Sequence, residues 1–132
     1  MPYCLVRYSH CRIRQSLFCM VYIDGFGIPP DHAQVVTASD TILELFSEAL
    51  CNGMYTVRWL LPMIVGSCLC KTERRQAVLD IYDSMSATCG CDDIAVARRL
   101  TQEVWARRDA GRPDWSWRCV FRDISDMDIV YV

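Results

Sequence analysis

A chain of 132 residues in which 52% are apolar, with 4 Trp and 6 Met, can bury a core of its own, and that excludes a disordered segment. At this length it forms one domain at most, or part of one. Its 14 basic and 16 acidic residues are mixed along the chain, with a formal charge of −2, so no basic arm or stripe exists to grip nucleic-acid phosphates. All the basic residues but Lys71 are arginine, the side chain suited to fixed carboxylate pairs.

The first thirty residues have the weakest pattern. Arg7, Arg12 and Arg14 give a polar start and Leu17, Phe18, Met20, Val21 and Tyr22 a dense apolar end, which predicts a helix from about Arg12 to Tyr22. The Gly and Pro residues between Asp24 and Asp31 mark a loop. It has neither the glycine spacing nor the lysine of a phosphate loop. Ile42, Leu43, Phe46, Ala49 and Leu50 then recur at helical spacing, with Ser39 or Asp40 as the expected N-cap and Gly53 near the stop. Glu44 and Glu48 fall on the opposite, solvated face.

The most continuously apolar stretch, RWLLPMIVGSCLC from Arg58 to Cys70, is expected to be the central helix. A helix apolar all round is buried all round. The twelve residues from Trp59 to Cys70 fall short of the ~20 needed to cross a bilayer. Pro62 suits the first turn, where a missing N–H costs nothing, and Gly66 suits a close approach by a neighbouring backbone. Thr72 is the expected cap of a helix with the stripe Ala77, Val78, Ile81, Tyr82 and Met85, ended by Gly90. Asp92 should cap the next, with Ala97, Leu100, Thr101, Val104 and Trp105 inward and Arg98, Arg99, Glu103 and Arg107 outward. Glu103 and Arg107 can pair at i, i+4. Gly111 and Pro113 stop that helix. Asp114 is the expected cap of a short helix carrying Trp117, Val120, Phe121 and Ile124, and the apolar tail Asp128–Val132 should dock on the core or lie beside a partner. The predicted fold class is all-α: five or six short helices in an orthogonal bundle or helical array, with no significant sheet.

Residues for catalysis do not assemble. His10 and His32 sit in the least regular third, and neither Ser67 nor Ser84 lies in a G-x-S-x-G elbow. Asp92-Asp93 is explained as a helix start, and Trp105, on an apolar stripe, as core rather than a ligand cage. No catalytic, cofactor-binding or metal-ligating residue is therefore assigned. Of the nine cysteines, Cys68/Cys70 and Cys89/Cys91 form C-x-C pairs, whereas structural zinc uses C-x₂₋₄-C. The N-terminus holds no apolar run of signal-peptide length, so reduced thiols acting as small apolar filler are expected. The alternative is a thiol-based metal or redox sensor built on those two pairs.

Several motifs occur in a familiar order: W-L-L-P-M-I-V-G-S-C from Trp59 to Cys68, L-T-Q-E-V-W-A-R-R-D-A-G from Leu100 to Gly111, then Trp117 and an apolar end. This order resembles the C-terminal part of the fungal-specific transcription factor domain, the helical regulatory region downstream of the DNA-binding cluster in fungal binuclear zinc-cluster regulators. Trp59, Leu61, Pro62, Ile64 and Gly66 match its central helix, Leu100, Val104 and Trp105 a later one, and Trp117 its final turn. Pro30 to Val35 is similar to the family's proline–histidine–valine joint. The match runs over about Thr56 to Val132, and more loosely from Arg12, with residues 31–132 as the best-matched core of a single helical domain expected to be part of a larger one. The resemblance implies a nuclear, non-enzymatic regulatory domain that works through helix–helix contacts with protein partners or copies of itself, with a small-molecule effector allowed and no membrane association. The family's six-cysteine cluster is not in this chain. No direct DNA contact and no cofactor are therefore implied for this segment, with zinc expected only where a longer product carries an upstream cluster.

Overall fold

The computed structural model describes residues 27–51, 60–89 and 92–126. Among these residues the chain forms α1 (Ala33–Cys51), α2 (Leu60–Cys68), a 3₁₀ turn (Thr72–Arg74), α3 (Arg75–Cys89), α4 (Asp92–Asp109) and α5 (Trp117–Asp126), with no strand. The all-α array expected from the sequence is the architecture found. The predicted Arg12–Tyr22 helix, Gly53, Trp59, Gly90, Cys91 and the 128–132 tail lie outside the described residues.

α1 starts earlier than its apolar stripe predicts, because the Pro29-Pro30 joint supplies its own turn. His32 donates its N–H to the Pro29 carbonyl at 3.1 Å, and its Nδ1 accepts the Gln34 N–H at 3.2 Å, as an N-cap side chain does. Ser39 and Asp40 therefore lie inside the helix and cap nothing. Buried Ser39 donates its hydroxyl to the Gly66 carbonyl on α2 at 2.7 Å, and Asp40 pairs with Arg74 and Lys71 at 3.3 and 3.6 Å.

α2 is the hub, packing against α1, α4 and α5. Pro62 sits in its first turn, as expected. Ile42 of α1 lies over Gly66 so closely that an added Cβ would stand 2.7 Å from Ile42 Cγ2 and 3.0 Å from its Cβ. The close neighbour at Gly66 is thus a side chain rather than bare backbone. Met63, Val65, Ser67 and Cys68 are buried, but the helix is not sealed all round: Leu61 is 48% exposed and Leu60 and Ile64 are half-buried. Three packed neighbours cover only part of the cylinder, and Leu61 falls on the uncovered arc.

Thr72 does not cap α3. It opens the 3₁₀ turn, which Lys71 precedes without any side-chain cap bond. Val78, Ile81, Tyr82 and Met85 are buried as the stripe predicts, whereas Ala77 is exposed. On α4 the inward row Ala97, Leu100, Thr101, Val104 and Trp105 is buried as read, joined by Ile94. α4 ends in a Schellman motif: Gly111 takes φ +69°, its N–H bonds the Arg108 carbonyl and the Arg112 N–H bonds the Arg107 carbonyl, both at 3.0 Å.

Asp114 does not cap α5 either. Ser116 does so, its Oγ accepting the Cys119 N–H at 3.3 Å, while the Asp114 carboxylate turns back to Arg112 at 2.6 Å. Val120 and Ile124 are buried; Phe121, expected inward, is 41% exposed.

Two apolar clusters result. The larger joins α1, α2, α3 and the inward face of α4, through Val35, Phe46, Met63, Tyr82 and Trp105 among others. The smaller gathers Cys68, Leu100, Val104, Val120 and Ile124 between α2, α4 and α5, with Ile64, Trp115 and Trp117 packed against both. Each fully buried side chain of this size contributes about 1.5–3 kcal/mol over leaving it in water.

Candidate functional site

A helix leaves its last carbonyls without intrahelical partners. At the C-terminal end of α2 these acceptors point at α4, and α4 answers from one face. Trp105 donates its indole N–H to the Ser67 carbonyl at 2.8 Å. One turn later, Arg108 Nη1 donates to the Cys68 carbonyl at 2.7 Å and to that of Cys70 at 3.3 Å. The spacing of Trp105 and Arg108 thus follows from a helix whose side chains at i and i+3 share one face. The Arg75 guanidinium lies 5.2 Å from the centre of the Trp105 ring on the other side and holds Asp109 through both terminal nitrogens, at 2.7 and 2.8 Å.

Beneath this junction lies a buried polar pair. Thr101 spends its hydroxyl proton on the Ala97 carbonyl at 2.9 Å, so Tyr82, 2.9 Å away, must be the donor between the two. Burial raises the Tyr82 phenol well above its ordinary pKa. It also pushes the Cys68 thiol up to about 12 and the Cys70 thiol to about 11. Both sulfurs therefore stay protonated at neutral pH, where a reactive thiol would need to be thiolate. That is the behaviour of apolar filler, in line with the preferred reading of the C-x-C pair. Cys91 of the second pair lies outside the described residues, and among them no three His, Cys, Asp or Glu side chains are grouped so as to hold a metal ion.

The second feature is a buried cation. Arg107, expected to point outward, is buried at 7% exposure. Its Nε pairs with Glu103 at 3.2 Å, as the i, i+4 spacing predicts. Its Nη2 reaches Asp123 on α5 at 2.8 Å, and its Nη1 reaches the Asp114 carbonyl at 3.0 Å and carboxylate at 3.4 Å. Desolvation works against the charge, but the hydrogen bonds that Arg107 donates to Asp123 and Glu103 outweigh it and raise the pKa. The one signal in the sequence was the density of acids after Arg107; which of them turn back could not be read without the chain reversal at Gly111.

A cleft of about 260 Å³ opens beside the α2 end, between the start of α1, the 3₁₀ turn and Arg108. Of the residues matched to the family's pattern, Pro30 and Asp31 of the joint before α1 line it, and the helix matches do not. Pro62 and Gly66 lie in α2, Leu100, Val104 and Trp105 on the inward face of α4, and Trp117 half-buried between the two clusters. Leu61 is on the surface, Ile64 bridges the clusters, and Trp59 lies outside the described residues. No described helix is long and apolar enough to cross a membrane.

No curated protein and no solved structure matches the chain. A family model does: it describes the fungal specific transcription factor domain and matches residues 6–131, reaching further toward the N-terminus than the motifs alone indicate. With nearly its whole length covered by that match, the chain belongs to the fungal specific transcription factor domain family, and its role is in the regulation of transcription.

Proposed function

We propose that this chain is a non-enzymatic regulatory module of the nucleus that acts through helix–helix contacts with protein partners or a second copy of itself, rather than by touching DNA. The observation that carries the reading is the family match over residues 6–131. The balanced charge, without a basic stripe, supports the absence of direct phosphate contacts. Leu61 on α2 and Phe121 on α5, large apolar side chains left 48% and 41% exposed, supply surface of the kind that helix contacts bury. No cofactor is assigned to this segment, and a small-molecule effector is compatible with it.

The test tethers the full chain to an unrelated DNA-binding module upstream of a reporter in fungal cells. A several-fold change in transcription is expected, up or down, reduced by Leu61→Asp or Phe121→Asp without loss of the folded state by circular dichroism. Reporter output equal to that of the DNA-binding module alone would overturn the reading. Light scattering of the purified chain should show self-association, weakened by the same two substitutions; a monomer at all concentrations leaves heterologous partners as the binding mode.

The thiol-sensor alternative meets a specific obstacle in the raised pKa values of Cys68 and Cys70. In the native protein, alkylation at pH 8 should reach exposed Cys51 well before Cys68 or Cys70. Early modification of Cys68 or Cys70, or stoichiometric metal after reducing purification, would restore that alternative.

A further inference from the structure

Among the partly or fully buried arginines of the described residues, Arg108 is the one without a carboxylate. Arg74, Arg75, Arg98 and Arg107 each hold one at 3.3 Å or less. Arg108 is half-buried, fixed through Nη1 by the Cys68 and Cys70 carbonyls, and set 5.8 Å from the centre of the Trp115 ring. It has no carboxylate within ion-pair distance among the described residues, and burial lowers its pKa. Asp109 acts on it only from beyond ion-pair distance. A desolvated guanidinium held rigid by neutral carbonyls, with no carboxylate in contact, favours an anion brought from outside, and its planar fork suits a carboxylate.

The surroundings narrow the class. Arg108 forms one wall of the 260 Å³ cleft, with Lys71 also on its lining. Half-buried Val36 and buried Leu69 give the cleft an apolar part. The exposed carboxylates of Asp31 and Glu73 line it as well, so a multiply charged anion such as phosphate meets repulsion there. We propose that this cleft binds a small aliphatic monocarboxylate, its carboxylate on Arg108 and its hydrocarbon body against Val36 and Leu69. The ligand bridges the start of α1 and the α2–α4 junction, so its occupancy ties together elements that meet at the hub helix. This deepens the regulatory reading above, but the binding itself is measured without reference to transcription.

The experiment is a titration of the isotopically labelled full chain with 4-methylpentanoate, followed by amide shifts. A ligand of this size should saturate with a Kd on the order of 1 mM. The neutral 4-methylpentanamide and inorganic sulfate should bind at least ~10-fold more weakly, the cost of a lost charge-assisted pair or a lost apolar contact. Arg108→Met should abolish saturation. Because Arg108 also caps α2, Thr72→Trp serves as a second variant: it fills the cleft from an exposed position and leaves the guanidinium in place, and it too should abolish binding. Glu73→Gln should tighten binding about 2–3-fold by removing one repulsive charge. The proposal is overturned by an absence of saturable shifts near Val36 and Leu69, by equal binding of the amide or of sulfate, or by undiminished binding to a folded Thr72→Trp variant.

Discussion

The α1–α2 interface and the α4–α5 corner hold helices together by opposite means. At α1–α2 a glycine lets Ile42 pack close against α2, one serine hydroxyl spans the gap, and apolar side chains of the larger cluster fill the rest. At α4–α5 a small cluster of four aliphatic side chains and one cysteine is supplemented by a buried arginine with three acidic partners. The first interface depends on shape and is insensitive to salt and pH. The second depends on charge, and responds to both.

Predictions that separate the two regions can be ordered by size. Trp105→Ala removes the indole that fills the larger cluster and caps Ser67, and should cost ~3–5 kcal/mol, enough to unfold a domain of ordinary stability. An unchanged melting curve would mean that the α2–α4 junction is not where stability resides. Arg107→Met removes the cation from the corner and should cost about 2 kcal/mol, less than for a fully buried pair because its carboxylate partners are 37–44% exposed. Gly66→Ala should cost ~1–2 kcal/mol, overpacking against Ile42 offsetting the better helix propensity of alanine. Combined with Ile42→Ala the two should be clearly non-additive in a thermal-melt cycle; strict additivity would show that the helices do not meet there. Ser39→Ala should lose about 1 kcal/mol with its bond to Gly66, independent of salt.

Acid sharpens the same contrast. Hydrogen bonds from Arg112 hold Asp114, and those from Arg75 hold Asp109, below the ordinary carboxylate pKa. The unfolded chain therefore takes up these protons first as pH falls. Their stabilising contribution is complete above the unfolded value of ~3.9 and fades as the pH drops through the folded values. Melting temperature should decline below about pH 4, and the decline should be shallower in Arg112→Met, which releases Asp114, than in Ser39→Ala, which leaves both ion pairs intact. Equal slopes would place the acid-sensitive groups elsewhere.

What could be read before any fold was known follows the apolar period closely. The inward rows of α3 and α4 are buried at Val78, Ile81, Tyr82, Met85, Leu100, Val104 and Trp105, because a 3.6-residue repeat leaves little choice of face. The stop at Gly111 was equally legible, since φ +69° is a glycine conformation. Caps were misread in three places. Ser39, Thr72 and Asp114 are all good capping residues, but each lies where a tertiary partner, a 3₁₀ turn or a neighbouring arginine competes for the role. A cap is a local bond of ~1 kcal/mol, and a contact of similar strength across the fold can displace it. Leu61 and Phe121 erred the other way: both are apolar, and both are left largely exposed.

By itself, then, the amino-acid sequence determined the helical class, the order of the elements, the central position of the Leu60–Cys68 helix and the family. These depend on periodicity and on the sum of many apolar contacts, which tolerate errors at single residues. Only the tertiary structure decided which charge is buried among carboxylates and which, among the described residues, has none in contact. Arg107 and Arg108 are adjacent in the chain and chemically identical. The reversal at Gly111 carries Asp114 and Asp123 back to the first, and the end of α2 presents only neutral carbonyls to the second. The pairing of a charge is set by the few groups within about 4 Å of it, and no repeat in the sequence reports which those are.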